Sequence, residues 1–436
     1  MRRRNRSSLD YDATRVPRVG ARYARELRTT GLASHTRSEF LRRAAGAGAG
    51  LLAGAGLLPL VGCSGAEGAS LDDAEMPSLT IGFIPINCAT PIIMASPLGI
   101  YEQYGLDVTV RKFGGWSEIR DAAIAGEIDA AHLLAPIPLA LSMGLGAATV
   151  PMRLAAIENI NGQAITLATK HLGNVEGPAD LAGMKLGIPF EFSMHNLLLR
   201  DYLASGGVDP DNDVQLVVMR PPDMVALLSV GNIDGFLGPE PVNQRAVYEG
   251  AGYLHILSRE MWDGHPCCSF SVRQPFIDEN PQTYQALLRA VVDATAYSQE
   301  AGNREEIAEA IAPPQYLNQP VEVVKAAMTG HFDDGKGETV SEPERMGFDP
   351  YPWKSFAVWI QTQLVRWGYV EPEEAEGLDF RGVADEVFRT SDIREMQREL
   401  GMTTTDEEYK TETILGRDFD PDDPDPWLES NIAARA

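Results

Sequence analysis

Residues 125–138 read AGEIDAAHLLAPIP, and residues 230–241 read VGNIDGFLGPEP. Each stretch places a helix end before a Gly-x-Ile-Asp turn, then a short apolar strand, then a Pro-rich helix start. Two similar α/β lobes produce such an echo at a separation of 105 residues, from Gly126 to Gly231. A common helix–turn–strand formula used twice is the alternative reading.

Outward from these stretches the alternation continues. Strands are predicted over 79–84, 107–110 and 130–134, with helices over 92–104 and 116–125 between them. The rhythm resumes with strands over 185–188, 214–218 and 233–237 and helices starting at His195 and Pro222. Alternation at this spacing implies parallel-rich sheets with helices on both faces. From Pro281 the pattern turns helical: Tyr284, Leu287, Leu288, Val291 and Val292 share one helix face, as do Trp353, Phe356, Ile360, Leu364 and Trp367. The close alternates Asp and Pro with little to bury, and reads as an acidic disordered tail over 416–436.

The chain has 436 residues, 44% of them hydrophobic and 23% charged, which is globular composition. Lys+Arg 37 against Asp+Glu 62 gives a formal charge of −25, which argues against nucleic acid as a partner. The charge is uneven: residues 1–62 carry +8 and the remainder −33. Within that basic head, Arg42 and Arg43 precede an uncharged Gly/Ala/Leu run over 44–62 that ends at Cys63. The order is that of a signal peptide. TRSEFLR (36–42) resembles a twin-arginine export motif with Ser38 in the place of its second Arg, and LVGC (60–63) resembles a lipobox. The expectation is an exported protein, lipidated on Cys63, with a small acidic tether over 63–76. Cys88, Cys267 and Cys268 then remain, an odd number without a CxxC pair, so at least one thiol is free; a Cys88 bridge to the 267–268 pair stays open.

No phosphate-binding loop, zinc-protease motif or nucleophile elbow occurs, and the 7 His are scattered without metal-ligand spacing. No catalytic set, metal site or cofactor is expected. Polar residues stand out instead at strand ends and helix starts. Trp116 opens a helix after Gly114-Gly115, Gln163 follows Asn161-Gly162 at the head of an apolar run, and Ser193 precedes His195 as a helix N-cap. Ligands of parallel α/β folds bind at such places, where free N–H groups favour an anion.

IGFIP (81–85), YGLDV (104–108), GEIDAAHLLAPIPLA (126–140), NGQAIT (161–166), SMHN (193–196), VGNIDGF (230–236) and GHP (264–266) together resemble the extracytoplasmic solute-binding proteins of nitrate and bicarbonate ABC transporters. The resemblance implies a two-lobed periplasmic-binding-protein-like (type II) fold: lobe 1 over 77–160, lobe 2 over 161–268, and a return to lobe 1 with C-terminal helices over 269–415. It also implies a non-enzymatic receptor that takes a small oxyanion, nitrate or nitrite ahead of bicarbonate, to a permease driven by a separate ATPase. The family's Trp, Gln and His contacts fall on Trp116, Gln163 and His195. A further backbone contact falls on Pro239, which has no N–H, and so is lost or shifts to Gly238 or Glu240. The position where nitrate binders carry Lys and bicarbonate binders an acid with calcium is Cys268, leaving His195 or helix N-termini to supply the positive share. CCSF (267–270) partly resembles the cysteine run of thiamine-pyrimidine synthases of the same fold, so a binder of a sulfonate or pyrimidine precursor, or an enzyme of that kind, is the competing reading.

Overall fold

The computed structural model describes residues 74–145 and 150–429; the expected leader over 1–62 and the expected lipidation residue Cys63 lie outside the described residues. Strand β1 (Ser78–Phe83) runs parallel to β2 (Asp107–Lys112) and to β3 (Ala130–Leu134). β4 (Met152–Asn161) leaves this sheet, and after the single residue Gly162, β5 (Gln163–Ala168) opens a second one. There β6 (Lys185–Ile188) is parallel to β7 (Gln215–Val218) and to β8 (Gly235–Pro239), while β5 pairs antiparallel with β8 and with β9 (Gly252–Leu257). β10 (Pro266–Arg273) returns to the first sheet, antiparallel between β3 and β4. Hairpin β11 (His331–Asp333) to β12 (Thr339–Ser341) and the short β13 (Met346–Gly347), paired with β4, follow.

The sheet orders are β13-β4-β10-β3-β1-β2 and β7-β6-β8-β5-β9. Without β13 they share one plan: three parallel strands, an antiparallel fourth, then a fifth. This is the two-lobed type II architecture. The echoed turns precede β3 and β8, the equivalent strands. Gly126 and Gly231 both adopt the left-handed conformation (φ +72° and +73°) that ends a helix at little cost. Asp129 Oδ2 accepts the Thr80 N–H at 2.8 Å, and the Asp129 N–H donates to the Thr80 carbonyl at 2.9 Å. Asp234 repeats both bonds with Lys185, at 3.0 and 2.8 Å. Each Asp therefore pins its strand to the neighbouring parallel one, while Ile128 and Ile233 enter the core.

Several expectations need correction. The helix over 92–104 divides into Thr90–Ala95 and Ile100–Gln103, because Pro97 and the left-handed Gly99 interrupt its hydrogen bonding. The return to the first sheet starts at Pro266, within the segment assigned to lobe 2, and residues 266–272 are all buried. Of the expected tether only residues 74–76 are described, and there the Glu75 carboxylate accepts the Gln282 and Thr283 N–H groups at the start of the helix Pro281–Gln299. The tail is folded as far as residue 429: β14 (Glu412–Ile414) and β15 (Arg417–Phe419) form a hairpin before the helix Asp425–Glu429. Phe419 and Trp427 are buried with rings 5.8 Å apart, supplying the apolar contact that the Asp-Pro composition hides.

The helix Lys354–Arg366 ties the C-terminal region to lobe 2. Arg366 Nη1 lies 2.6 Å from Asp201 Oδ1, and both side chains are nearly inaccessible; Asp201 belongs to the helix Met194–Ser205. Three residues beyond Arg366, the Tyr369 hydroxyl accepts from Asn196 at 2.6 Å.

Candidate functional site

In lobe 1, β1 runs into the turn Asn87–Ala89, and β2 runs through Gly114-Gly115 into the helix Trp116–Ala125. The Arg220 side chain, from lobe 2, lies over those glycines; a Cβ on Gly115 would sit 3.4 Å from its aliphatic carbons. Arg120 of lobe 1 lies 5.8 Å from the Phe190 ring of lobe 2. The lobes thus meet around the ends of their parallel strands. In lobe 2, Ser193 caps the helix Met194–Ser205 by accepting the Asn196 N–H at 3.0 Å, which fixes His195 in the first turn. Gln163 opens β5 opposite Pro239, at the same edge of the second sheet.

Trp116, Gln163 and His195 are at most 2% exposed, and their polar side-chain atoms (Trp116 Nε1, both amide atoms of Gln163, both imidazole nitrogens of His195) have no hydrogen-bond partner among the described residues. A buried polar group left without a partner costs about 1–3 kcal/mol. Three such residues on two facing lobes leave buried donors and acceptors unpaired among the described residues.

A chain of contacts joins them. Trp116 stands edge-on to His132, with ring centroids 5.2 Å apart, and His132 Nε2 lies 3.9 Å from Glu158 Oε2. Cys267 acts electrostatically on both Glu158 and His195, raising the pKa of each. From the other side, the Asn87 N–H donates to the Glu240 carbonyl at 2.8 Å, and the Glu240 N–H donates to the Gly162 carbonyl at 3.0 Å, next to Gln163.

Burial governs the charges. It pulls His195 down to about 4, with Cys267 opposing and His265 reinforcing the shift, so the imidazole is neutral at pH 7. It pulls His132 to about 3 and pushes the Glu158 carboxyl well above its usual range. His132 Nδ1 accepts the Ile84 N–H at 3.3 Å, which places the proton of the neutral ring on Nε2, toward Glu158. Burial likewise raises the thiols of Cys88 and Cys268. Cys267 goes the other way: burial opposes its ionisation, but the side-chain contacts from Cys268 and Cys88 hold it low. The positive share expected of His195 is therefore absent at neutral pH before a ligand arrives.

The backbone contact expected of Gly238 or Glu240 fares differently. Every polar group of Glu240 already has a protein partner: its N–H bonds to Gly162, its carbonyl accepts from Asn87, and its carboxylate takes Arg345 and the Gln244 N–H. Glu240 is thus a joint between the lobes and has no donor to offer. Gly238 sits in β8 opposite Ala164, and a Cβ there would meet the Phe236 ring at 2.8 Å, so packing explains the glycine. Cys268 donates its N–H to Asn159 Oδ1 at 3.2 Å, and its thiol points toward Cys267, 3.6 Å away. Cys88 and Cys267 are 3.5 Å apart as free thiols.

Asn87, His132 and Glu158 share this character: each is inaccessible and has side-chain atoms without a partner among the described residues. Asn87 follows β1 where His195 follows β6, so the strand-end rule that singles out His195 also finds it. His132 and Glu158 interrupt the apolar runs of strands β3 and β4.

Two sheets of one plan, meeting around buried polar groups without a partner among the described residues, have the architecture of a two-lobed solute-binding protein. The chain belongs to the NMT1-like family, which matches residues 72–312. It is 32% identical over 400 residues to the nitrate/nitrite binding protein NrtA of Nostoc sp. (strain PCC 7120), covering 84% of this chain and 89% of that one. It is 28% identical over 406 residues to the bicarbonate-binding protein CmpA of Synechococcus elongatus, covering 85% and 90%. The crystal structure of the periplasmic nitrate-binding protein NrtA from Synechocystis PCC 6803 matches with TM-score 0.78 and 30% identity, over 82% of this chain and 99% of that one. These relatives are named as binding proteins, not as enzymes.

Proposed function

We propose that the protein captures a small oxyanion between its lobes, nitrate or nitrite ahead of bicarbonate, and delivers it to the permease of an ABC importer. The observation that carries this reading is the set of unpartnered polar atoms on Trp116, Gln163 and His195, drawn from both lobes. Trp116 Nε1 and the Gln163 amide donate to the anion's oxygens, and His195 donates from whichever nitrogen carries its proton. The names of the relatives support the solute class. A neutral thiol at Cys268 offers calcium no hard oxygen ligand, which sets bicarbonate held through calcium behind nitrate. In this reading the chain is exported and held to the outer face of the membrane through lipid on Cys63. Cys63→Ser should move it from the membrane to the soluble fraction, and unchanged fractionation would reject the anchor.

Titration calorimetry of the full chain tests the ligand with nitrate, nitrite, and bicarbonate with and without calcium. Heat from nitrate or nitrite that Gln163→Ala abolishes is the expected result; no heat from any of the anions overturns the proposal. A second reading, a neutral solute such as an aminopyrimidine, is favoured by one observation. The buried Arg345 beside this rim has its guanidinium occupied by Glu240 and Gln244, and His195 is neutral. An aminopyrimidine arm in the same titration separates the two.

A further inference from the structure

Lobe 1 contains three thiols that anion binding does not require. Cys88 lies in the turn after β1, Cys267 and Cys268 lie in β10, and all three are inaccessible to solvent. Cys88 Sγ is 3.5 Å from Cys267 Sγ, Cys267 Sγ is 3.6 Å from Cys268 Sγ, and all three sulfurs lie within 4.8 Å of one another.

Adjacent residues of a regular strand point to opposite faces of the sheet. Cys267 and Cys268 do not. The register of β10 against β4 slips between Pro266 and Cys268 and again between Cys268 and Ser269. Irregularities of this kind re-aim side chains, and here both thiols share one space with Cys88. The Asn159 side chain holds the Cys268 N–H within the irregular segment.

Metal–sulfur bonds of about 2.3 Å to an ion at the centre of a sulfur triangle separate the sulfurs by about 4 Å. The two shorter spacings, 3.5 and 3.6 Å, fall about half an ångström inside that distance, and the third lies within 4.8 Å. Among the described residues no His, Asp, Glu or fourth Cys joins the group. Thiolates suit Cu(I), zinc and iron–sulfur clusters alike, but structural zinc takes four ligands, so a set of three soft ligands favours Cu(I). We propose that Cys88, Cys267 and Cys268 form a three-coordinate thiolate site for one soft monovalent ion, Cu(I). The site is independent of which solute the cleft takes.

The test uses the full chain carrying Cys63→Ser, so that these are its only thiols, reduced and free of oxygen. Cu(I) is presented on a competing bicinchoninate chelator. The protein should withdraw one equivalent, and Cys88→Ser, Cys267→Ser and Cys268→Ser should each weaken retention at least about tenfold. X-ray absorption on the copper-loaded parent chain, which needs no further variant, should show three sulfur ligands and no nitrogen or oxygen. Failure to withdraw copper, retention unchanged in Cys88→Ser, a two-sulfur environment, or displacement of the copper by equimolar zinc would each overturn the assignment.

Discussion

The two lobes share a plan and differ in what they present to the cleft. Both pin their middle strand with a Gly-x-Ile-Asp turn, and both run their first parallel strand directly into a helix start. After β1 that start carries Asn87 and Cys88; after β6 it carries Ser193 and His195. After β2 comes Trp116 behind two glycines, whereas after β7 come Arg220 and Pro221. The repeated residues build scaffold, and the chemistry sits where the repeats diverge. A search for conserved motifs within one chain therefore finds the architecture, and a search for their differences finds the site.

The largest expected effect tests whether lobe 2 depends on the C-terminal helices. Removing one member of a buried ion pair costs about 3–5 kcal/mol, so Arg366→Ala should lower the urea midpoint strongly. An unchanged midpoint would mean that lobe 2 holds its place without the Asp201 pair.

Next comes the two-sided cleft. Gln163→Ala and His195→Ala on lobe 2, and Trp116→Ala and Asn87→Ala on lobe 1, should each weaken solute binding by about 1–3 kcal/mol, read by calorimetry. Losses confined to one lobe would break the comparison and leave the other as a mere lid.

A smaller effect separates the two pinning aspartates. Asp234 also meets Lys170 and His171; burial works against its charge, but hydrogen bonds from Lys170, the Lys185 N–H and His171 hold it down at about 2. Its pKa is depressed on folding, so its contribution is complete above the ordinary value of 3.8 and lost as pH falls toward about 2. Asp234→Asn should accordingly be the more destabilising of Asp234→Asn and Asp129→Asn at pH 7, and it should flatten the acid limb of the stability curve. Equal losses at pH 7 and pH 3 would contradict this.

The smallest effect concerns pH and affinity. An anion beside His195 favours the imidazolium, so binding takes up a proton in the window between the ligand-free value of about 4 and the higher value of the complex. Nitrate affinity should be level from pH 8 to 7 and rise as pH falls toward 5, by at most about tenfold per pH unit for a single proton. Affinity falling steadily between pH 7 and 8 would show that the bound imidazole titrates there.

Much of the scaffold is legible in the sequence because local pattern and tertiary role agree. The helix Trp116–Ala125 and strands Ala130–Leu134 and Lys185–Ile188 follow directly from periodicity. That Trp116, Gln163 and His195 stand apart from the scaffold is legible because polar side chains at strand ends and helix starts have few packing roles, and in the fold all three are buried. What escapes depends on distance in the chain. That the Glu240 N–H is occupied depends on Gly162, and the order of the acidic tail depends on Phe419 meeting Trp427. The grouping of Cys88 with Cys267 and Cys268 depends on a strand irregularity that alternation cannot encode.

The antiparallel fourth strands carry one more consequence. The second sheet, β5 to β9, is a single continuous stretch from Gln163 to Leu257, whereas the first cannot be completed until β10 arrives. A chain released N-terminus first therefore presents β3 and β4 with facing edges unpaired while lobe 2 is already complete. Insertion of the late strand joins segments more than a hundred residues apart, a closure of high contact order that is intrinsically slow. Until then two open strand edges are available to any other extended chain. The order in which strands become available thus runs against the order of the lobes: every strand of the second sheet precedes β10, the strand that closes the first.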